Sequence, residues 1–378
     1  MQKLYIFIGI FLFLSSCKEN EKSSSIDSEI KERVQVNYAK GFKINTYSSH
    51  KDIELINPWP GAEVTFKYAL IKKGMTLPTS EKFDAVIEIP VSNIVVTSTT
   101  HIPSLEMLGV SEALVGFPNI DYISSETTRK RIDDGKITEL GKNEDINTEV
   151  LIDLSPDVIV GFAVDGNNSA FNIIKKTGIP VVYNSDWTET SPLGKAEWIK
   201  FFGALFDKQK EADSIFSTIE LQYNSAKKIA SKAISEPTVI SGAMYKDVWY
   251  MPQGKSWAAQ FIKDAHGDYL WKETEGTGSL SLNLESVLEK GKEAEFWVGS
   301  GQFTSLQQMK DTHSVYGQFE AYKNKKVFSF TSKKGATGGV LYYELAPNRP
   351  DLVLKDIIKI LHPELLMDYQ PYFFSHLE

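Results

Sequence analysis

Few groups in this 378-residue chain could do covalent chemistry. Its single cysteine is Cys17, preceded by Leu14-Ser15-Ser16. An apolar residue, two small residues that fit a peptidase pocket, then a cysteine match the bacterial lipobox, whose thiol takes a lipid. A secreted chain with one cysteine has no internal disulfide, so acylation is the expected chemistry of this thiol. Gly254-Lys255-Ser256 has the ending of a phosphate-cradling loop, but that pattern needs a glycine five residues before Gly254, where Trp249 stands. No Gly-x-Ser-x-Gly occurs, so a serine nucleophile elbow has no support. His101, His266, His313, His362 and His376 are scattered without paired metal-ligand spacing. What remains is binding chemistry. Tyr122 falls in the loop after a predicted strand, where open parallel sheets place ligands. Tyr245 and Trp249 fall in a later loop, and Lys333, Lys334 and Arg349 are cations that could meet an anionic ligand.

The elements that must position these residues follow from periodicity. Met1-Gln2-Lys3 is a positive start, and the apolar run Leu4 to Leu14 is too short to span a bilayer but fits a signal core, so residues 1–16 read as a signal peptide. Residues 17–35 are rich in Ser, Glu, Lys and Asn and read as a flexible tether, unable to bury enough surface to offset chain entropy. About 345 residues remain, more than one core usually spans, so two lobes are expected. The net charge of −8 and sequence pI near 5.5 exclude a nucleic-acid partner, which asks for a basic face.

Residues 36–90 alternate polar and apolar side chains around Pro, Gly and Asn and predict a β-rich N-terminal extension of antiparallel strands. Residues 91–193 alternate short apolar strands with helices, the signature of a parallel, helix-covered sheet. Residues 194–236 are two linking helices. The first is predicted from Gly194 to Phe206. Asp207 is expected to cap the second, whose apolar residues recur at spacings of three and four from Ala212 to Ala233, predicting a rod of about 40 Å. Strand–helix alternation resumes over residues 237–378.

Five segments in order carry a family resemblance. Ile146-Asn147-Thr148-Glu149-Val150-Leu151 with Ser155-Pro156-Asp157-Val158-Ile159-Val160, and Ser281 to Leu288 before Phe296-Trp297-Val298-Gly299, form a pattern repeated on each side of the long helix. Asn93 to Gly116, Trp249 to Ser256, and Arg349-Pro350-Asp351 through His362-Pro363-Glu364 complete the set. Over about residues 90–365, the chain resembles the ferric-siderophore and vitamin B12 substrate-binding proteins of ABC importers.

The resemblance implies an α/β fold of two Rossmann-like lobes bridged by one long helix, the class III binding-protein architecture, with the ligand between the lobes. It implies no enzyme activity and no resident cofactor. The expected partners are a small-molecule metal chelate (an iron siderophore, haem or cobalamin), an ABC permease and its ATPase, and a membrane that holds the lipid, with the body a monomer in the cell envelope facing the periplasm, outer-membrane or surface sorting being the alternative. Phe162 ends a strand at a position where B12-binding members place an aromatic ligand contact. Ligand contacts are thus expected from His101, Tyr122, Phe162, Tyr245, Trp249 and Arg349, and docking on the permease from Glu149 and Glu285. A related group of similar fold binds bare zinc or manganese, and His101 suits a comparable position. An exported two-domain α/β enzyme is the other alternative.

Overall fold

The computed structural model describes residues 29–77, 81–162, 164–166 and 169–378. Cys17 and the expected signal segment lie outside the described residues.

The extension forms a five-stranded sheet whose spatial order follows the chain: Glu32–Arg33, Phe42–Thr46, His50–Ile56, Thr65–Lys72 and Ala85–Ile89. The first four pair antiparallel, as their alternation predicts, but the last runs parallel to Thr65–Lys72. The sheet has no core of its own. Phe42, Ile44, Leu55, Tyr68 and Ile87 pack into one cluster with the first-lobe strands.

The first lobe holds a parallel sheet ordered Val181–Asn184, Val158–Phe162, Ile94–Val96, Leu114–Phe117 and Thr138–Glu139. The chain winds outward from Ile94–Val96 in one direction, then returns to the other side. That reversal opens a crevice at the carboxyl ends of Ile94–Val96 and Val158–Phe162, where α/β sheets bind ligands. The second lobe has a sheet of a different order, Asp268–Tyr269, Thr238–Ile240, Phe296–Val298, Val327–Ser329 and an antiparallel edge, Ser375–His376, and it too reverses, beside Thr238–Ile240. A separate antiparallel sheet, Ala243–Tyr245, Val248–Pro252 and Ser279–Leu282, flanks it.

Between the lobes, the predicted first linking helix is two short ones, Pro192–Ala196 and Ile199–Leu205. Tight bonds three residues apart, such as Lys200 N–H to the Glu197 carbonyl, carry the chain through Glu197-Trp198. The long helix runs Gln209–Ala230, 22 residues, hence about 33 Å rather than 40. Asp207 is not its cap. Its φ of 53° is left-handed, and Lys208 is the residue that enters the helix. The apolar spacing is as read, and its effect is to join two cores. Ala212, Phe216 and Ile219 pack in the first-lobe core, whereas Tyr223, Ala226 and Ala230 pack in that of the second.

Candidate functional site

Two pockets open at the carboxyl ends of the two parallel sheets. The first-lobe pocket, 270 Å³, is lined by Thr97, Ser98, Phe117, Tyr122, Asn143 and Phe162, and closed by Val340 and Tyr343 of the second lobe. Its geometry is fixed by the strand ends. Thr97 Oγ1 accepts the Phe162 amide at 2.9 Å, which holds that ring at the crevice beside Trp187. Asn143 Nδ2 donates to the Thr97 carbonyl at 3.0 Å. The Glu139 carboxylate accepts the amides of Asn119, Ile120 and Gly141 at 2.8–3.0 Å, gathering the turn that presents Tyr122. Tyr122 is 65% exposed, so its ring is available to a ligand.

The second-lobe pocket, 430 Å³, is lined chiefly by Met251, Trp257, Phe261, Phe330, Tyr342 and Phe374, with Tyr250 and Tyr343 at its wall. Tyr343 lines both pockets, so they form one cleft with a shared rim. The loop at its base is pinned by two indoles. Trp249 Nε1 donates to the Ser241 carbonyl at 3.0 Å, and Trp297 Nε1 to the Gly242 carbonyl at 2.9 Å. Gly242 has φ 80°, and any side chain there would collide with the Tyr250 carbonyl, so glycine is required.

Of the expected ligand residues, Tyr122 and Phe162 are brought together in the first-lobe pocket. Trp249 is not in the cleft. It is fully buried and stacked on Trp297 with ring centroids 5.2 Å apart. The cause is strand parity. Val248–Pro252 buries Trp249 and Met251 and turns Tyr250 outward. The alternation of that strand is the signal that identifies Tyr250, and reading the segment as a loop hides it. Tyr245 sits at the tip of the hairpin formed with Val248, outside the lining of both pockets.

His101 is also corrected. The short turn Thr99–His101, capped by Ser98, directs the ring inward, where it is fully buried against Phe202 at 5.5 Å. Burial pushes its pKa down to about 4, only partly offset by Asp186 and Asn184, so it is neutral at neutral pH. Arg349 is directed away from the cleft. Its guanidinium forks onto Asp351 at 2.9 Å for both contacts, holding a fully buried carboxylate at the start of the helix Pro350–Leu361. Lys333 Nζ donates to the carbonyls of Pro371 and Tyr372 at 2.7 and 2.6 Å.

A third cavity, 780 Å³, separates the lobes beside the cleft and gathers the charged groups Glu106, Glu126, Lys333, Lys334 and Glu344. Here the second lobe grips the first. Glu344 accepts the amides of Ser124 and Ser125 at 2.7 and 2.9 Å, and burial raises its pKa to about 7. Segment 333–340 lies so close that a Cβ on Gly339 would stand 2.5 Å from the Tyr122 carbonyl oxygen. Thr337 Oγ1 donates to the Asp121 carbonyl at 2.7 Å, and Asn348 Nδ2 to that of Thr100 at 2.8 Å.

Glu149 and Glu285 occupy matching places, each exposed in the first turn of a helix, Thr148–Leu154 and Leu284–Gly291. Asn147 and Asn283 cap those helices identically, each accepting the amide three residues on. Among the described residues, no three His, Cys, Asp or Glu side chains come together to hold a metal ion. No helix among them is long and apolar enough to cross a membrane.

Comparison with known proteins places this arrangement. The family described as periplasmic binding protein matches residues 94–333. An uncharacterized lipoprotein of Methanocaldococcus jannaschii is 27% identical over 360 residues, spanning 89% of this chain and 84% of that protein. Among solved structures, a possible iron-binding periplasmic solute-binding protein from Staphylococcus epidermidis has a TM-score of 0.56 at 17% identity, over 72% of this chain and 99% of that one. The periplasmic heme binding protein HutB of Vibrio cholerae has a TM-score of 0.55 at 14% identity, over 70% of this chain and 99% of the other.

Proposed function

The chain belongs to the periplasmic binding protein family, and from that premise we propose that it is a lipid-anchored receptor that captures a metal chelate and delivers it to an ABC permease and its ATPase. As a member of that family it is a solute-binding protein of an ABC transporter and not an enzyme, so the exported-enzyme alternative falls. The chelate is a ferric siderophore, haem or cobalamin.

The observation that carries this reading is the cleft itself. Two aromatic-walled pockets, one at the strand ends of each lobe, share Tyr343. Rigid rings bury large area with few rotatable bonds, which suits a bulky, flat-sided ligand. The iron and haem named for structural neighbours agree with it. A bare zinc or manganese ion would need converging donors, and the described residues supply no cluster of three. Lipid anchoring is supported by the lone Cys17 in its lipobox and by the lipoprotein relative. Docking falls to Glu149 and Glu285, one on each lobe, as a two-fold symmetric permease would require.

Titrating the purified protein with ferric siderophores, haemin and cobalamin while following tryptophan fluorescence tests the proposal. Saturable binding of one of them with no chemical turnover is expected. Failure of all three classes to bind a folded protein would overturn it.

A further inference from the structure

The cleft contains aromatic rings, hydroxyls and amides, and no charge. Among the described residues, neither pocket is lined by any Lys, Arg, His, Asp or Glu. The polar side chains of the first-lobe pocket are neutral: the hydroxyls of Thr97, Ser98, Thr99, Tyr122 and Tyr343, and the Asn143 amide. The second-lobe pocket is walled by Met251, Trp257, Phe261, Phe330 and Phe374.

Three nearby cations, Arg349, Lys333 and Lys195, are engaged elsewhere. Arg349 forks onto Asp351. Lys333 donates to two carbonyls and, with Lys334, lines the neighbouring cavity. Lys195, over the ring of Trp257 at 5.3 Å, is buried and donates to the carbonyls of Asp186 and Trp187, each at 3.0 Å. A multiply charged anion entering this cleft would lose water and find no cation in the lining to replace it, which is strongly unfavourable. A neutral complex loses little, and its apolar portion gains the aromatic wall.

We infer that the cleft selects electroneutral metal chelates, with the metal-binding head in the hydroxyl-lined first-lobe pocket and an apolar arm in the second-lobe pocket. Ferric tris-hydroxamate complexes are of this class, because three singly charged hydroxamates cancel Fe³⁺. Ferric tris-catecholates carry three net negative charges and are excluded. The inference rests on the metal-chelate reading above and narrows it.

The test uses the full-length lipoprotein in neutral detergent, titrated calorimetrically with a ferric tris-hydroxamate and with a ferric tris-catecholate. The hydroxamate is expected to bind at least about 100-fold more tightly, with an affinity insensitive to salt. Equal or tighter binding of the catecholate would overturn the inference and leave the metal-chelate reading standing. Failure of both to bind, with haemin, which its two propionates make an anion, bound instead, would overturn the inference alone. Failure of every chelate would overturn both. Thr99→Lys places a cation in the lining and is expected to raise catecholate affinity relative to that of the hydroxamate about 10-fold. No rise in a folded variant would show that missing charge is not what excludes the anion.

Discussion

His101 and Glu344 titrate over the same range with opposite sign. The folded-state pKa of His101 is about 4 against an ordinary 6.5, so the unfolded chain takes up its proton first. Its contribution to stability is present above pH 6.5 and is lost as the pH falls towards 4. Glu344 has a folded-state pKa of about 7 against 4.5, because burial and the nearby Glu106 favour the neutral acid. Its contribution is present below pH 4.5 and is lost as the pH rises through 7. Each amounts to on the order of 3 kcal/mol at full extent, so they nearly cancel in the intact protein. Urea unfolding at pH 7.5 and 4.5 checks this. His101→Leu is expected to become more stable at the lower pH, Glu344→Gln less stable, and the parent to change little. At this scale the sequence was only half legible. Tyr122 follows a strand that an apolar run reveals, and Phe162 was expected from the family resemblance; both line the first-lobe pocket. Trp249, His101 and Arg349 could not be read, because each is decided by one step of strand parity, one inward turn, or one buried carboxylate two residues away.

Buried carboxylates also decide how elements attach. Glu197 is fully buried, and its oxygens accept the amides of Asn37, Tyr38 and Ala39 at 2.7–3.1 Å while pairing with Lys200 at 2.9 Å. Glu189 takes the next two amides, Lys40 and Gly41, at 2.8 and 2.9 Å. The extension is therefore strapped through five successive amides to Glu197, between the linking helices, and to Glu189, just before them. Glu197→Ala leaves three amides without their acceptor and the buried Lys200 ammonium without its nearest carboxylate, though still on the Gln35 carbonyl at 2.6 Å, and is expected to cost about 3–5 kcal/mol, read as a lower urea midpoint at unchanged slope. Glu149 and Glu285 present the contrasting case of exposed carboxylates at helix starts. Glu149→Ala with Glu285→Ala is expected to keep chelate affinity while impairing uptake in cells, and unimpaired uptake would leave them only a helix-dipole role. The long helix was legible because its apolar spacing is uninterrupted. The break at Glu197-Trp198 was not, because it depends on amides about 160 residues away in sequence.

At the scale of the whole molecule, the design is two cores on one rod. A helix whose buried face runs from Phe216 to Ala230 packs in both cores and so ties the two lobes together. Parallel, helix-covered sheets were readable from the strand–helix alternation, whereas the reversal of strand order was not. The closeness of the lobes was not, because it resides in segment 333–340, which has no periodicity to read. Its glycines are the physical clue. At Gly339 a Cβ would stand 2.5 Å from the Tyr122 carbonyl oxygen and 2.8 Å from Ser124 Oγ, where real contacts need more than 3 Å. Gly339→Ala must therefore push the clasp off the first lobe by a fraction of an ångström to an ångström. Tyr343, four residues on, lines both pockets and moves with that segment, so the displacement widens the cleft where the pockets meet. Neither core is touched, so stability is expected to stay within about 1 kcal/mol of the parent. Chelate affinity is expected to fall about 10-fold, chiefly through faster release, because the aromatic faces no longer close on the ligand. Stopped-flow dissociation and solution scattering check this together. Unchanged release with an unchanged radius of gyration would mean that the clasp does not govern closure.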